Sequence, residues 1–404
     1  MHKKTSLLAF LTILLIIFAA DSALASTSPV IVGGAAIIID SNNGQVLYEK
    51  NSHQRMYPAS TTKTLTAIIA LENSKLSDQV KISSDACNIE GSAIGLQEGE
   101  SVSMEDLLYA LMLNSGNDTA IAIAQYIGGS VSGFVEMMNK KAGEIGALDS
   151  HFNNPHGLPD LNHYSSAYDL AIIGRYAMKN PEFRKIVSTK TRNIHRENPE
   201  AQTYLLNRNN MLWNYEGAIG IKTGYTDAAG QCLVTAANRQ NRELITVVLN
   251  SVGTSIWDDT RVLLDYGFAE FNSVSVINAA QYITDARVKY GAPNSVNVFT
   301  DQSLSYNFPK DKPVVIRQEA RLIEQISAPI KSGDKLGELV FFSGEREIGR
   351  VDLVSRQDVE KKRSAYWWPW LSLILLVLLL RSINKFRYKY RRRDFVNMRR
   401  RKYY

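Results

Sequence analysis

The hydrophobic pattern changes period twice before residue 275, and the order of those changes leaves few folds open. Pro29–Tyr48 carries VIVGGAAIIID, a turn SNNG, and QVLYE, which predicts a β-hairpin. From residue 59 to about 190 the apolar residues fall at helical spacing, most clearly in MEDLLYALMLN (Met104–Asn114) and VSGFVEMMNKKAGEIG (Val131–Gly146). Strand patterns return over 217–252 as GAIGIKTGYT, QCLVTAANR and ELITVVLNSVG, and a helix over roughly Thr260–Phe271 closes the region. Strands, a helical block, strands, then a helix describe an α+β fold. They fit an antiparallel sheet with helices packed on it, and not repeating βαβ units.

Past residue 274 the chain reads differently. Short alternating segments (KPVVIRQ, KLGELVFFS, REIGRVDLV) are broken by SGDK and SGER turns, which predicts a separate small all-β domain over 274–357. Both ends are apolar. Residues 1–25 carry Lys3 and Lys4, an apolar stretch Leu7–Ala20, and Ala23-Leu24-Ala25, the layout of a cleaved export signal. Tyr366–Leu380 (YWWPWLSLILLVLLL) is apolar on every face and short for a span, with Trp367, Trp368 and Trp370 suited to the interface belt. The expected layout is a signal (1–25), a main domain (29–272), the β-rich domain (274–357), a linker (358–364), a transmembrane anchor (365–381) and a basic cytoplasmic tail (382–404).

The tail decides what the charge means. The chain is formally +6, but Arg381–Tyr404 holds eleven Lys or Arg against one acid, Asp394, and the first 25 residues add +1. Residues 26–380 therefore carry −5, and the basic pI belongs to a segment suited to anionic lipid headgroups. The body has no basic, aromatic-studded stripe for nucleic acid. Of the two cysteines, Cys232 lies in an apolar run and reads as a core residue; whether it pairs with Cys87 stays open.

The chemistry concentrates at YPASTTKTLTA. Ser60 and Lys63 sit at i and i+3, on one face of a helix start, so hydroxyl and amine can hydrogen-bond. A serine needs a base to become a nucleophile, and a lysine whose proton is disfavoured by the helix dipole and by burial can be that base. The pattern alone is weak, since Ser332/Lys335 and Ser382/Lys385 repeat it in a turn and in the tail. A plain N-cap serine with an exposed lysine is the simpler alternative. Two more segments matter. Ser115-Gly116-Asn117 follows directly on a helix, although Ser-x-Asn recurs at Ser41, Ser295 and Ser305. Lys222-Thr223-Gly224 occurs once, within a strand pattern interrupted by small residues, where a cation and a hydroxyl can receive a carboxylate.

Together, in this order, the three segments resemble the penicillin-recognising active-site serine enzymes, marked by S-x-x-K, S-x-N and K-T-G. YPASTTK, LNSGND, FNNPHGLPDLNHYSSAYDLA (Phe152–Ala171), GIKTGYTDAAG and LLDYGF (Leu263–Phe268) are similar to one branch, the low-molecular-mass penicillin-binding proteins that are D-alanyl-D-alanine carboxypeptidases. The resemblance implies a β-lactamase/transpeptidase-like fold outside the bacterial cytoplasmic membrane, acting on peptidoglycan stem peptides and acylated by β-lactams, without cofactor or metal. It implies Ser60 as nucleophile, Lys63 as general base and Ser115 as proton relay to the leaving amine. Asn117 would hold the substrate amide, Lys222 and Thr223 the terminal carboxylate, and Gly224 would allow close backbone approach. The N–H groups of Ser60 and Tyr225 would form the oxyanion hole. Some relatives carry an arginine before the LLDYGF helix; here Ser255-Ile256-Trp257 stands there, which leaves the second carboxylate contact open, with Thr226 a candidate.

His156 and His163 read as structural loop histidines, since no third ligand or H-E-x-x-H spacing accompanies them. Two other functions compete. A class A-like β-lactamase needs a deacylating glutamate, and Phe152–Tyr164 offers only Asp160. A membrane-bound β-lactam sensor or wall-binding scaffold needs more than a tail of 24 residues for signalling.

Overall fold

The computed structural model describes residues 28–362 and 368–400. The expected export signal, Trp367, part of the linker and the last four residues lie outside the described residues. The chain divides into two compact units, one running to Ser273 and including Asn307–Pro313, the other holding Val274–Tyr306 and everything from Val314 on.

In the first unit the predicted hairpin forms β1 (Ala35–Asp40) and β2 (Val46–Lys50), and the later strand patterns form β3 (Ala218–Thr226), β4 (Gly230–Arg239) and β5 (Arg242–Ser251). They make one antiparallel sheet in the order β2-β1-β5-β4-β3. β1 pairs with β5 from Ala35↔Leu249 to Asp40↔Leu244, so the first and last strands meet at the sheet's centre. That position explains the unbroken apolar run AAIII. Alternate side chains of a strand point to opposite faces. Ile37 and Ile39 pack into the core under the helical block, while Ala36 and Ile38 pack with Ile256, Leu263 and Leu264 on the other face.

The helical block comprises α1 (Lys63–Asn73), α2 (Met104–Tyr109), α3 (Asn117–Gly128), α4 (Val131–Glu144), α5 (Ala167–Ala177) and α6 (Pro181–Ser188). Serine or asparagine caps start four of them: Ser103, Ser130, Ser166 and Asn180 each accept a backbone N–H from the first turn. The predicted helix Met104–Asn114 is not uniform. After Tyr109 it widens into a π-turn, Ala110–Asn114, and ends on Ser115 in the left-handed region (φ 63°). Such bulges re-aim the residues that follow. The closing helix α7 (Ser255–Glu270) starts five residues before the predicted Thr260, on the face opposite the block.

The second unit has its own five-stranded antiparallel sheet: β6 (Tyr282–Arg287), β7 (Ser295–Thr300), β8 (Arg317–Leu322), β9 (Lys335–Ser343) and β10 (Arg346–Ser355), in the order β6-β7-β10-β9-β8. The predicted SGER turn links β9 to β10. Its core is apolar (Val296, Val298, Leu339, Phe341, Val351, Leu353), and its charges ladder along the surface. Helix α8 (Trp368–Arg400) continues without a break into the basic tail. Its Pro369–Tyr390 part, 22 residues, is long and apolar enough to cross a membrane. The candidate span thus reaches nine residues past the predicted end at 381, because the cationic side chains there interrupt the apolar run without interrupting the helix.

Candidate active site

Ser60 lies in a 3₁₀ turn, Ala59–Thr62, that leads directly into α1, so Lys63 is the first residue of the helix proper. Ala59 is in the left-handed region (φ 48°), an uncommon conformation for a residue with a Cβ. Two glycines hold it there. A Cβ on Gly157 (φ +93°) would collide with the Ala59 carbonyl, and one on Gly224 would stand 2.8 Å from the Ser60 nitrogen. The backbone at Ser60 is thus wedged between the 152–164 loop and β3.

The Lys63 ammonium is fully buried and donates to Ser60 Oγ (3.0 Å), Asn117 Oδ1 (2.7 Å) and the His156 carbonyl (2.7 Å). Burial is the main force lowering its pKa well below the ordinary lysine value, and the positive charge of Lys222 pushes the same way. Asp118 opposes the shift and Arg208 adds to it. The burial of Lys63 is complete, as the proton-disfavouring reading of this lysine requires. Lys222 is buried as well, and burial followed by Arg208 lowers its pKa to about 7.

Ser115 is 5% exposed, and its Oγ has no hydrogen-bond partner among the described residues. A buried, unsatisfied hydroxyl on a left-handed residue is costly, so it marks a group kept for something other than stability. Ser60, Ser115, Thr223, Gly224 and Tyr225 line one cavity of about 270 Å³, together with Arg208 and Trp257. Lys63, Lys222 and Asn117 form the layer behind it. Asn117 does more than the sequence implies: its Oδ1 holds Lys63 while its Nδ2 donates to the Glu90 carbonyl at 2.6 Å, so it orients the lysine. Thr226 is outside the cavity wall and accepts the Ala229 N–H in the β3–β4 turn. Arg208, hydrogen-bonded to Ser92 Oγ at 3.1 Å, is the cation that lines the cavity instead. In the sequence it stands in the loop LLNRNN with no motif to mark it.

Three of the threonines after Ser60 have side-chain hydrogen bonds. Thr61 and Thr66 donate to the carbonyls of Pro58 and Pro155, each at 2.6 Å. His163 Nδ1 accepts the Asn153 N–H, so its Nε2 carries the proton and donates to Thr62 Oγ1 (2.9 Å). Burial first, with nearby positive charge, lowers His163 to about 4 and His156 to about 3, so both rings are neutral tethers of the loop. Cys232 lines the cavity floor, and burial pushes its thiol up to about 12; Cys87 and Cys232 are both free.

With this geometry in place, comparison with known proteins gives the class. Residues 22–253 match the family described as D-alanyl-D-alanine carboxypeptidase, and residues 271–361 match the C-terminal domain of penicillin-binding protein 5. The chain belongs to the D-alanyl-D-alanine carboxypeptidase family. It is 33% identical to the D-alanyl-D-alanine carboxypeptidase DacF of Bacillus subtilis over 80% of this chain and 84% of that one. It is 34% identical to DacA of Haemophilus influenzae over 83% and 87%. Among solved structures, penicillin binding protein 5 from Haemophilus influenzae superposes with a TM-score of 0.73 at 32% identity, covering 83% of this chain and 99% of that one.

Proposed function

We propose that this protein is a serine D,D-carboxypeptidase that removes the terminal D-alanine from peptidoglycan stem peptides through an acyl-enzyme on Ser60. The observation that carries the reading is the 3.0 Å hydrogen bond from a fully buried lysine, its pKa lowered by that burial, to a serine hydroxyl at the wall of a cavity. Neutral Lys63 takes the Ser60 proton as Oγ attacks the carbonyl between the last two D-alanines. The oxyanion that forms faces the N–H groups of Ser60 and Tyr225, which the bare backbone of Gly224 brings near each other. Ser115 Oγ, without a competing partner, relays the proton to the departing amine. Lys222, Thr223 and Arg208 receive the terminal carboxylate. β3 is an edge strand, and its outer backbone groups can pair with an extended peptide. Asn117 positions Lys63; a substrate amide would have to draw its Nδ2 from the Glu90 carbonyl.

β-Lactams would acylate the same serine, and slow release of that adduct separates this reading from a β-lactamase. Asp160, the one acid in the loop, accepts the Asn162 N–H in its own turn and is not a deacylating base aimed at Ser60. The export signal and α8 support a catalytic unit outside the cytoplasmic membrane, held by a single C-terminal span with a basic cytoplasmic tail. The test gives the full chain in detergent a peptide ending in D-Ala-D-Ala and measures D-alanine. Release is expected from wild type and lost in Ser60→Ala; equal release from both would sink the assignment.

A further inference from the structure

Residues 90–96 have no part in the proposed chemistry, yet they are strapped to the first turn of α3, beside the cavity at Ser60. The Asn117 N–H donates to the Ser92 carbonyl (2.6 Å), and its side chain donates to the Glu90 carbonyl (2.6 Å). Asp118, 1% exposed, accepts the N–H groups of Ile94 (2.9 Å) and Leu96 (3.1 Å) through Oδ2. The Arg196 guanidinium also donates to the carbonyls of Ile94 (3.3 Å) and Gly95 (2.9 Å). Gly91 (φ +87°) permits this close approach, since a Cβ there would stand 2.8 Å from Asn117 Nδ2. Ser92 is thus fixed on both flanks.

Its hydroxyl meets Arg208. The backbone around Arg208 is held by two buried asparagines. Asn207 Nδ2 donates to the Val187 and Thr189 carbonyls (3.1 and 3.0 Å), and its Oδ1 accepts the Asn209 N–H (3.0 Å). Asn209 Oδ1 in turn accepts the Met211 N–H (3.1 Å). The Arg208 side chain has no such support. It is exposed, no carboxylate pairs with it among the described residues, and Nη1 donates to Ser92 Oγ at 3.1 Å. Both residues line the cavity at Ser60. A long arginine side chain gives up rotamer freedom when it grips a ligand, unless a neighbour has already fixed it.

We propose that Ser92 is a positioning residue for substrate choice: it holds the Arg208 guanidinium at the cavity so that a free terminal carboxylate is preferred to an amide. The inference rests on the proposed D,D-carboxypeptidase reaction and narrows its substrate class to peptides that end in a free D-alanine carboxylate. A planar guanidinium matches a carboxylate through two parallel hydrogen bonds, and only when it is presented at the right angle. Asn117 gives the site a common anchor, since it orients Lys63 through Oδ1 and seats Ser92 through its N–H.

Full-length protein in neutral detergent is assayed on an N-acetylated tripeptide ending in D-Ala-D-Ala and on its C-terminal carboxamide. The acid-over-amide ratio of kcat/KM should fall about tenfold in Ser92→Ala, the scale of one hydrogen bond to a charged group, chiefly through KM for the acid. Ser92→Thr, which keeps the hydroxyl, should recover most of the ratio. In an Arg208→Gln background, Ser92→Ala should change the ratio no further. A strap that only supports the fold would lower both substrates equally; that result, or additive losses in the double variant, overturns the proposal. If the wild type does not cleave the amide, the acid decides alone, and a fall in kcat with KM unchanged overturns it. Melting temperatures verify each fold, and Ser92→Val against Ser92→Thr carries the comparison if Ser92→Ala does not fold. Absence of D-alanine release from the wild type would strike the parent reaction, whereas release with an unaltered ratio in Ser92→Ala strikes this inference alone.

Discussion

The two units place their charges in opposite ways. In the second, Lys335 pairs with Glu338 and Asp352, and Arg350 with Glu338 and Glu347, all on the surface of a sheet whose core is apolar. In the first, Lys63, Lys222, Asp118 and the Arg196–Glu100 pair lie within the protein. Buried charge is expensive and rarely the best route to stability. The second unit is arranged as a folded support, while the first tolerates energetic cost where the chemistry requires it. The contrast can be broken by experiment, beginning with the lysine that carries the proposed mechanism.

Lys63→Met is expected to lower D-alanine release about 10³-fold, the scale of a lost general base, while the melting temperature of the protein stays level or rises. A fall in melting temperature would show that the lysine is structural. Glu100→Gln is the counter-case. It leaves Arg196, whose side chain is 0% exposed, without the negative charge of its 2.7 Å partner, and should cost about 3–5 kcal/mol in denaturant unfolding. Little change there would mean the buried pair is poorly formed. Gly224→Ala places a methyl group 2.8 Å from the Ser60 nitrogen and should reduce acylation by a labelled penicillin roughly 10²-fold with little loss of fold.

Lys222 gives a pH test. Its folded pKa is about 7 against an ordinary 10.5, so between those values the unfolded chain holds a proton that the folded chain lacks. Stability contributed by this group therefore rises with pH across that window. The melting-temperature advantage of Lys222→Met over wild type should shrink from pH 7 to pH 10; a constant gap would place the proton elsewhere. The smallest effect is expected in the second unit, where Glu338→Gln should leave the unfolding transition in place.

Much of this was readable from sequence because it depends on period and order. The hairpin, the three strands and the helical block follow from spacing alone, and the three motifs together point to the family. What could not be read depends on contacts between distant segments. The continuous burial of β1 needs the position of β5 beside it. The π-turn before Ser115 leaves no compositional mark, since ALMLN fits any buried helix. Arg208 enters the cavity because the chain doubles back to it, and Thr62 and Thr66 find their partners, His163 and the Pro155 carbonyl, on a loop about a hundred residues away. Asn117 was assigned toward substrate by resemblance, and only its two hydrogen bonds reveal the hold on Lys63.

The pairing of β1 with β5 also bears on how activity arises in time. The two strands are separated by about two hundred residues, and their ladder closes the sheet on which β4 and then β3 depend. Contacts of such long range form late and slowly, since the entropy of closing the chain is lost before the contacts compensate for it. Ser60 and Lys63 lie near one end of that loop and Lys222 near the other. A chain still emerging, or one cut before residue 251, would hold Ser60 and Lys63 without a complete β5, and so without the ladders that tie β4 and β3 to β1. On the proposed mechanism, reactivity at Ser60 is thus expected only once the last strand docks, late in folding.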